Sequence, residues 1–180
     1  WTAKGYYNVS ADTYTLINPV TINKRSEDGT TVDQITAVRG STVESSGALT
    51  DSDSFPQSSW VAWTQTENNI FRQPLSTRVY HTIPSSGSGS KGTNYTEISY
   101  GRDEMDRQNM VESAAGTITR TVFNSRGLAV STWIGTDDTG ATDSDPTGGG
   151  ASGNNMVALS ETEDDGGSEG GNGLATEVTT

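Results

Sequence analysis

The residues best suited to chemistry lie in an acidic stretch near the end of the chain. Asp143, Asp145 and Thr147 alternate just before Gly148, a spacing that lets successive side chains of a tight loop point at one hard cation. Asn154 stands where a complete helix–loop–helix calcium site has its bidentate glutamate, so the full motif fails. A looser calcium loop would recruit neighbouring carboxylates, and the alternative is a solvated acidic loop. The predicted calcium ligands are Asp137, Asp138, Asp143, Asp145 and Thr147.

Tryptophan rings offer a second kind of chemistry. Trp60 and Trp63 belong to the most aromatic run of the chain, and Trp133 lies in a strand-like segment further on. An indole ring either fills a core or forms a flat platform on which a sugar ring stacks. Core packing is the favoured interpretation of Trp60 and Trp63. The alternative, a carbohydrate-binding surface that uses all three rings, stays open.

The sequence does not assemble a catalytic set. His81 is the single histidine, and a serine–histidine–aspartate device would have to use it. Its neighbours Tyr80 and Thr82 place it in a predicted strand without an activated serine. Glycine patterns at 148–153 and 166–170 match a dinucleotide fingerprint and a nucleophile elbow by spacing alone, because no helix pattern follows either one. We therefore predict that the chain is not an enzyme.

Two asparagines begin tripeptides of the N-glycosylation type. Asn8 and Asn94 are each followed by a serine or threonine two residues later. Such tripeptides matter only in a chain that is exported by a cell with the glycosylation machinery. We treat both as candidate glycosylation positions on a surface strand or loop.

Composition and charge limit the partners. The chain has no cysteine, which excludes disulfides and thiolate metal sites, and no apolar run approaches the roughly 18 residues of a membrane span. After Arg126 the chain has 10 of its 23 acidic residues and none of its 11 basic residues, so most of the net charge of −12 belongs to the C-terminal part. This field opposes phosphate backbones and anionic lipids. We expect neither nucleic-acid binding nor membrane insertion.

Short strands and tight turns must position these residues. Hydrophobic residues make up only 30% of the chain, which is low for a compact core. Between Tyr95 and Gly135 apolar and polar residues alternate in short runs, with turn signals at Gly116 and at 124–127. The predicted fold class is all-β: antiparallel hairpin repeats forming a β-strip, shell or solenoid-like segment with long Gly/Asp-rich loops.

The chain divides into three predicted segments. Residues 1–92 form a divergent β segment with loops, residues 93–135 carry two degenerate repeats, and residues 136–180 form acidic glycine-rich loops with one or two short strands. The loop of about twenty residues after Gly135 is long for a compact domain, so we expect it to be either ordered by a ligand or mobile. We place a short strand at 156–159 and an acidic loop at 161–173. Because the chain begins at Trp1 without a methionine or signal sequence, we expect a processed product or a fragment.

The central segment resembles the YD-repeat (Rhs-type) family. Repeats of this family, about 20 residues long, carry Tyr-Asp, then Gly-Arg, then a Pro-Asp-Gly turn and a strand. Asp103 and Arg107 match the Asp and Arg of one repeat, and Gly116 closes its turn. Asn124 stands for the Asp of the next repeat, 21 residues after Asp103, and is followed by the matching Gly127. The substituted positions are Arg102 for tyrosine, Asp106 for glycine, Ala114-Ala115 for Pro-Asp, Phe123 for tyrosine and Leu128 for arginine.

The resemblance implies a structural role outside the cell. The family is found in very large secreted or surface-exposed proteins, whose hairpins join edge to edge into a β-strip that forms a shell or filament-like body. Thin hairpins that stack on neighbours also suit a chain with few apolar residues. We therefore expect a non-catalytic scaffold, shell wall or filament subunit that pairs through β edges with itself or with neighbouring repeats. The alternative is an extracellular carbohydrate-binding or adhesive module, with calcium in its acidic loops.

Overall fold

A computed structural model describes residues 1–39, 49–164 and 175–179, and within these ranges the chain is all-β. The predicted fold class of antiparallel hairpins in a strip is confirmed. One short 3₁₀ turn, Gln57–Ser59, precedes β4. The strands are β1 (Thr2–Asn8), β2 (Thr13–Arg25), β3 (Thr31–Ala37), β4 (Trp60–Asn68), β5 (Pro74–Tyr80), β6 (Tyr95–Arg102), β7 (Gln108–Glu112), β8 (Ile118–Phe123), β9 (Ala129–Gly135), β10 (Val157–Asp164) and β11 (Ala175–Thr179).

Two compact units make up the chain. Unit 1 comprises Trp1–Glu97 and unit 2 comprises Ile98–Thr180. Unit 2 therefore takes together most of the residues that the sequence divided between a repeat segment and an acidic segment. Among the described residues, no helix is long and apolar enough to cross a membrane.

Unit 1 is an antiparallel meander in which β1 pairs with β2, β2 with β3, β3 with β4, and β4 with β5. The pairing of β1 with β2 is interrupted opposite Ala3 and Lys4, where Asn18 and Pro19 are extra residues on β2. Proline cannot donate a ladder hydrogen bond, so it belongs at such an irregularity. β1 is the first strand in the order, and within the described part of the chain its only paired neighbour is β2.

Unit 2 continues the same arrangement with the end of β6 and with β7 to β11. Each strand again pairs antiparallel with the next one. β10 is longer than the strand predicted at 156–159, and the loop predicted from Glu161 is wrong as far as Asp164. Glu161 pairs with Ser131 of β9 and with Thr179 of β11, so ladder pairing on both sides overrides the low strand propensity of acidic residues. Residues 165–174 lie outside the described residues, and the rest of that predicted loop lies there with the 166–170 glycine pattern.

Four hairpin turns share one geometry of five residues. In each turn the N–H of the first residue donates to the carbonyl of the fifth at 2.8–3.0 Å, and the N–H of the fourth donates to the carbonyl of the first at 2.9–3.0 Å. The fourth residue has a φ of 64° or 84°, as expected for a three-residue hairpin loop that ends in a left-handed position. The turns are 69–73, 103–107, 113–117 and 124–128.

The first residue of each turn explains why these sequences turn. Asn69, Asp103 and Asn124 accept, through one side-chain oxygen, the N–H groups of the third and fifth turn residues at 2.8–3.0 Å. Ser113 accepts one such bond, from Thr117 at 3.1 Å. These bonds replace water on the turn backbone. The predicted turns at Gly116 and at 124–127 are confirmed, and the 21-residue spacing from Asp103 to Asn124 joins two equivalent turn positions.

The core of unit 1 lies on one face of its strands. Ile35 pairs with Ile22 of β2 and with Trp63 of β4, and its side chain is fully buried. The buried members of this core are Val20, Ile35, Ala37, Leu49, Trp63, Tyr80 and Tyr95. Strand residues of one face and the segment around Leu49 and Phe55 therefore form a small hydrophobic cluster.

Candidate functional site

The predicted calcium ligands lie in the loop 136–156 between β9 and β10, where two of them hold the loop on the strands. Asp138 Oδ2 accepts hydrogen bonds from the Arg120 guanidinium of β8, 2.7 Å from Nε and 2.6 Å from Nη2. Asp143 accepts from the side-chain amide of Asn109 at 2.8 Å and from the backbone N–H of Glu104 at 3.0 Å. Both carboxylates are thus bound to protein donors of unit 2.

The other two aspartates stabilise the loop from within. Asp137 Oδ1 accepts from the N–H and the hydroxyl of Thr139 at 2.9 and 2.6 Å. Asp145 accepts the same pair of bonds from Thr147, and its Oδ2 accepts from the N–H of Gly149 at 2.7 Å. The Thr147 hydroxyl, then the Gly149 and Thr147 N–H groups, lower the pKa of Asp145. The Thr139 hydroxyl and N–H do the same for the pKa of Asp137. Both side chains are therefore favoured in the ionised form that accepts these bonds.

Glycine and asparagine complete the loop. A Cβ at Gly148 would lie 2.6–2.8 Å from backbone atoms of Thr139 and Gly140, and its φ is 60°, so a side chain does not fit there. The Asn154 amide donates to the carbonyls of Thr139 and Pro146 at 3.1 and 2.9 Å. The sequence predicted that the loop is either ordered by a ligand or mobile. The structure shows a third case, in which the loop's own side chains hold it.

The geometry does not gather the predicted cation ligands. Within the described ranges, no three histidine, cysteine or acidic side chains lie close enough to hold a metal ion together. Asp138 and Asp143 point at separate donors of the strands, and the Thr147 hydroxyl is donated to Asp145. Calcium binding stays a prediction, and it would require these carboxylates to exchange protein donors for a cation.

A shallow cleft of about 200 Å³ lies beside two of the equivalent turns of unit 2. Arg107 crosses it: Nε donates to Asp103 at 2.6 Å, Nη1 donates to the Asn124 carbonyl at 3.1 Å, and the guanidinium lies 4.7 Å from the Phe123 ring centroid. Arg107 therefore ties together the two turns that are 21 residues apart. The cleft is lined by Asp103, Glu104, Met105, Arg107, Phe123, Asn124, Ser125 and Asp143.

Trp63, one of the three candidates for the alternative sugar-stacking role, is packed in the core of unit 1. Trp63 is 6% exposed, its ring stacks on that of Tyr80 at 3.7 Å, and its indole N–H donates to Asp33 at 2.9 Å. The core interpretation holds for Trp63, and its ring offers no free face to a ligand. Burial raises the pKa of Tyr80 to about 12. No hydrogen-bond partner of the Tyr80 hydroxyl occurs in the described part of the chain.

Trp60 and Trp133 are only half-buried. Val61 is an extra residue on β4 opposite Ala37. This bulge places the side chains of Trp60 and Trp63 on the same face of the sheet, with their ring centroids 5.0 Å apart. The ammonium group of Lys24 lies 4.5 Å from the Trp60 ring centroid. The Trp133 N–H donates to Ser131 at 2.9 Å.

An ionic network of unit 1 was missed from the sequence. Arg78 donates through Nε to Glu97 at 2.6 Å and through Nη1 to Glu67 and Gln65 at 2.7 and 3.0 Å. Gln65 in turn donates to Asp33 at 2.9 Å. The network spans strands β3 to β6 and lies next to the stacked rings of Trp63 and Tyr80. Its signal in the sequence is weak, because the partners become neighbours only through the register of separate strands.

The remaining candidates have local roles. His81 is exposed, and its Nδ1 lies 3.3 Å from the Thr82 hydroxyl. The Asn94 amide group donates to the Thr82 carbonyl at 2.9 Å, while its oxygen accepts from the Ser90 N–H at 3.0 Å. Asn8 belongs to β1, and its side chain lies outside the described atoms. Glycosylation of either asparagine stays a prediction.

No protein-family model and no curated protein matches this chain. The resemblance to YD repeats therefore has no support from comparison and stays a hypothesis based on the residues from Asp103 to Leu128.

Proposed function

We propose that this chain is a non-catalytic structural segment of an extracellular β assembly, as a scaffold, shell wall or filament subunit. The observation that carries the proposal is that β1 and β11, the first and last strands in the order, each pair with only one neighbour among the described strands. An unpaired strand edge presents a row of backbone donors and acceptors to another strand. The natural occupant of such an edge is a strand of another copy or of a neighbouring repeat.

The composition of the two edge strands supports pairing between copies. The single charged residue of β1 is Lys4, and that of β11 is Glu177. Opposite charges on two edges favour their association, whereas like charges across a strand pair are unfavourable. The small core of unit 1 also fits a chain that gains stability from neighbours.

Proline substitution in β1 tests the proposal. Successive residues of a strand direct their N–H groups to opposite sides. Of Lys4→Pro and Gly5→Pro, one therefore removes an N–H that faces the open edge and the other an N–H that faces β2. We expect the variant that removes the edge-facing N–H to abolish association of the purified chain in sedimentation velocity, with little change in melting temperature. The variant that removes the N–H facing β2 should lower the melting temperature. If neither alters the association, edge pairing through β1 is excluded.

Carbohydrate binding with calcium in the acidic loop is the second candidate. The half-buried ring of Trp133 supports it, although the packing of Trp63 weakens it. A glycan array probed with and without calcium tests this function, with Trp133→Ala as the variant. An adhesive module should give hits that Trp133→Ala removes, whereas a scaffold segment should give none. Calorimetric titration of chelator-treated protein with calcium tests the cation separately.

A further inference from the structure

Two neighbouring hairpin turns of unit 1 enclose an open cavity of about 320 Å³. One turn joins β2 to β3, and in it the Ser26 N–H donates to the Thr31 carbonyl at 3.0 Å. The other is the turn 69–73 between β4 and β5. The N–H and the side-chain amide of Asn68 both donate to the Thr30 carbonyl, at 2.8 and 3.1 Å. These bonds hold the two turns side by side, so the fold itself fixes the cavity between them.

The floor of the cavity is a row of paired residues on the face away from the core of unit 1. Arg25 pairs with Val32, and Val32 pairs with Thr66. Each of the three lies three positions along its strand from the core row centred on Ile35. Successive strand residues point to opposite faces, so this row faces away from the core. The floor therefore offers the methyl groups of Val32 and the hydroxyl of Thr66 to a ligand.

Two arginines stand at the sides of the cavity and approach each other over Gly29. A Cβ at Gly29 would lie 3.9 Å from Cδ of Arg25 and 3.9 Å from Nη2 of Arg72, and no other atom outside its chain neighbours would be as close. Gly29 is buried although it belongs to a turn. Its φ of 76° is in the left-handed region that suits glycine. The missing side chain keeps the space between the two arginines open.

Neither guanidinium is neutralised by the described part of the chain. Four other arginines form ion pairs with aspartate or glutamate. No hydrogen bond or ion pair joins the Arg25 or the Arg72 guanidinium to a residue of the described ranges. In the adjoining turn, Asp28 accepts instead from two hydroxyls at 2.6 and 2.8 Å, and Glu27 is exposed. Two like charges beside one cavity repel each other, and an anion placed between them is attracted by both.

We propose that this cavity binds a tetrahedral dianionic group, a sulfate or a phosphate, carried on a small molecule or as the free ion. A guanidinium presents a planar fork of donors that matches two oxygens of such a group, and two guanidinium groups balance its two charges. The volume is at the lower end of the roughly 300–1,000 Å³ of small-molecule sites. Residues 1–97 carry only −2 of the net charge of −12, so most of the charge that repels anions belongs to unit 2.

Titration of the full 180-residue chain followed by ¹H–¹⁵N NMR tests the site. Sodium sulfate should shift the guanidinium signals of Arg25 and Arg72 and the N–H signal of Gly29 along one saturating curve. Sodium chloride at equal ionic strength should shift them little, because it only screens the charges. Inorganic phosphate should compete with sulfate at the same signals. Equal shifts in sulfate and chloride, or tighter binding of acetate than of sulfate, would overturn the proposal.

Three charge-removing variants separate a specific site from a general field. Arg25→Gln and Arg72→Asn each remove one of the two guanidinium groups, and asparagine tolerates the φ of 64° at residue 72. Each should raise the dissociation constant for sulfate about tenfold or more, with little change in melting temperature. Arg126→Gln removes the same charge from an exposed turn residue of unit 2 and should leave the constant nearly unchanged. Equal weakening by all three variants would overturn the site.

Esters identify the source of the group. A monosaccharide sulfate and a monosaccharide phosphate are titrated in the same way. Tighter binding of an ester than of the free ion, with the gain lost in Thr66→Val, assigns the attached ring to the floor of the cavity. Equal binding of ester and free ion assigns the ion alone.

The site is independent of the edges of β1 and β11 on which the proposed assembly depends, so the two fail separately. If neither ion nor ester binds while a β1 proline variant abolishes association, the site is overturned and edge assembly stands. If sulfate binds as expected to a chain that stays monomeric, the site stands and edge assembly is overturned.

Discussion

Single acidic residues decide how the loop 136–156 is held. The sequence placed the aspartates in one loop correctly, and spacing alone suggested that they converge on a cation. The structure instead pairs Asp138 with Arg120 and Asp143 with Asn109. These donors lie 18 and 34 residues earlier in the chain, so no local pattern identifies them. A motif within one segment predicts which side chains are able to bind a cation. It does not predict which donors from distant parts of the chain bind those side chains instead.

The anchor at Asp143 predicts a specific loss of stability. Asp143→Ala leaves the 5% exposed Asn109 amide without its acceptor, and an unsatisfied buried donor costs about 1–3 kcal/mol. The free energy of unfolding in urea should fall by that amount. Ser144→Ala, at the adjacent exposed residue, should change it by less than about 0.5 kcal/mol. Equal effects of the two variants would show that Asp143 is not an anchor.

The buried hydroxyl of Tyr80 predicts a gain. Within the described residues this group has no hydrogen-bond partner, and desolvating an unpaired hydroxyl is unfavourable. Tyr80→Phe keeps the ring on Trp63 and should raise the free energy of unfolding by up to about 1 kcal/mol. A clear loss of stability in thermal unfolding would mean that the hydroxyl is satisfied after all.

Asp28 in the turn before β3 predicts a pH dependence. The hydroxyl of Ser26 and the N–H and hydroxyl of Thr30 lower the pKa of Asp28 from 3.8 to about 2. A depressed folded-state pKa contributes stability that is present above about pH 4 and is lost as the pH falls through about 2. Asp28→Asn should therefore flatten the decline of the melting temperature between about pH 5 and pH 2. Glu27→Gln removes a neighbouring charge and should leave a larger part of this decline in place than Asp28→Asn does.

Hairpin elements follow from their turns. Polar first residues and glycines at fixed spacing predicted the turns at Gly116 and 124–127, because these residues satisfy turn backbone and tolerate a positive φ. The equivalent turn at 69–73 was missed, since Arg72 occupies the left-handed position with a φ of 64°. The bulge at Val61 was missed as well, because register shifts depend on pairing with another strand.

The turn geometry predicts stability changes of opposite sign. Gly116 has a φ of 84°, and no atom of the described residues outside its own neighbours lies within 4 Å of the position that a Cβ would take. Gly116→Ala should therefore cost about 1–2 kcal/mol through backbone strain alone. Asp106 has a φ of 64° at the equivalent position, and Asp106→Gly should gain up to about 1 kcal/mol. Urea unfolding of both variants checks the pair. A gain from Gly116→Ala would contradict the shared geometry.

At the scale of the whole molecule, the described strands form a succession of hairpins, and the first and last of these strands each have one paired neighbour. The all-β class followed from alternation, turn residues and the low hydrophobic content. The assembly does not follow from one chain, because the groups that would complete an edge belong to another strand. The central claim is therefore that this chain acts together with further copies of itself or with neighbouring repeats.

Light scattering of the purified 180-residue chain over a range of concentrations tests this claim most directly. We predict a mass above that of one chain that grows with concentration, since edge pairing brings copies together. A single monodisperse monomer at every concentration would contradict the account.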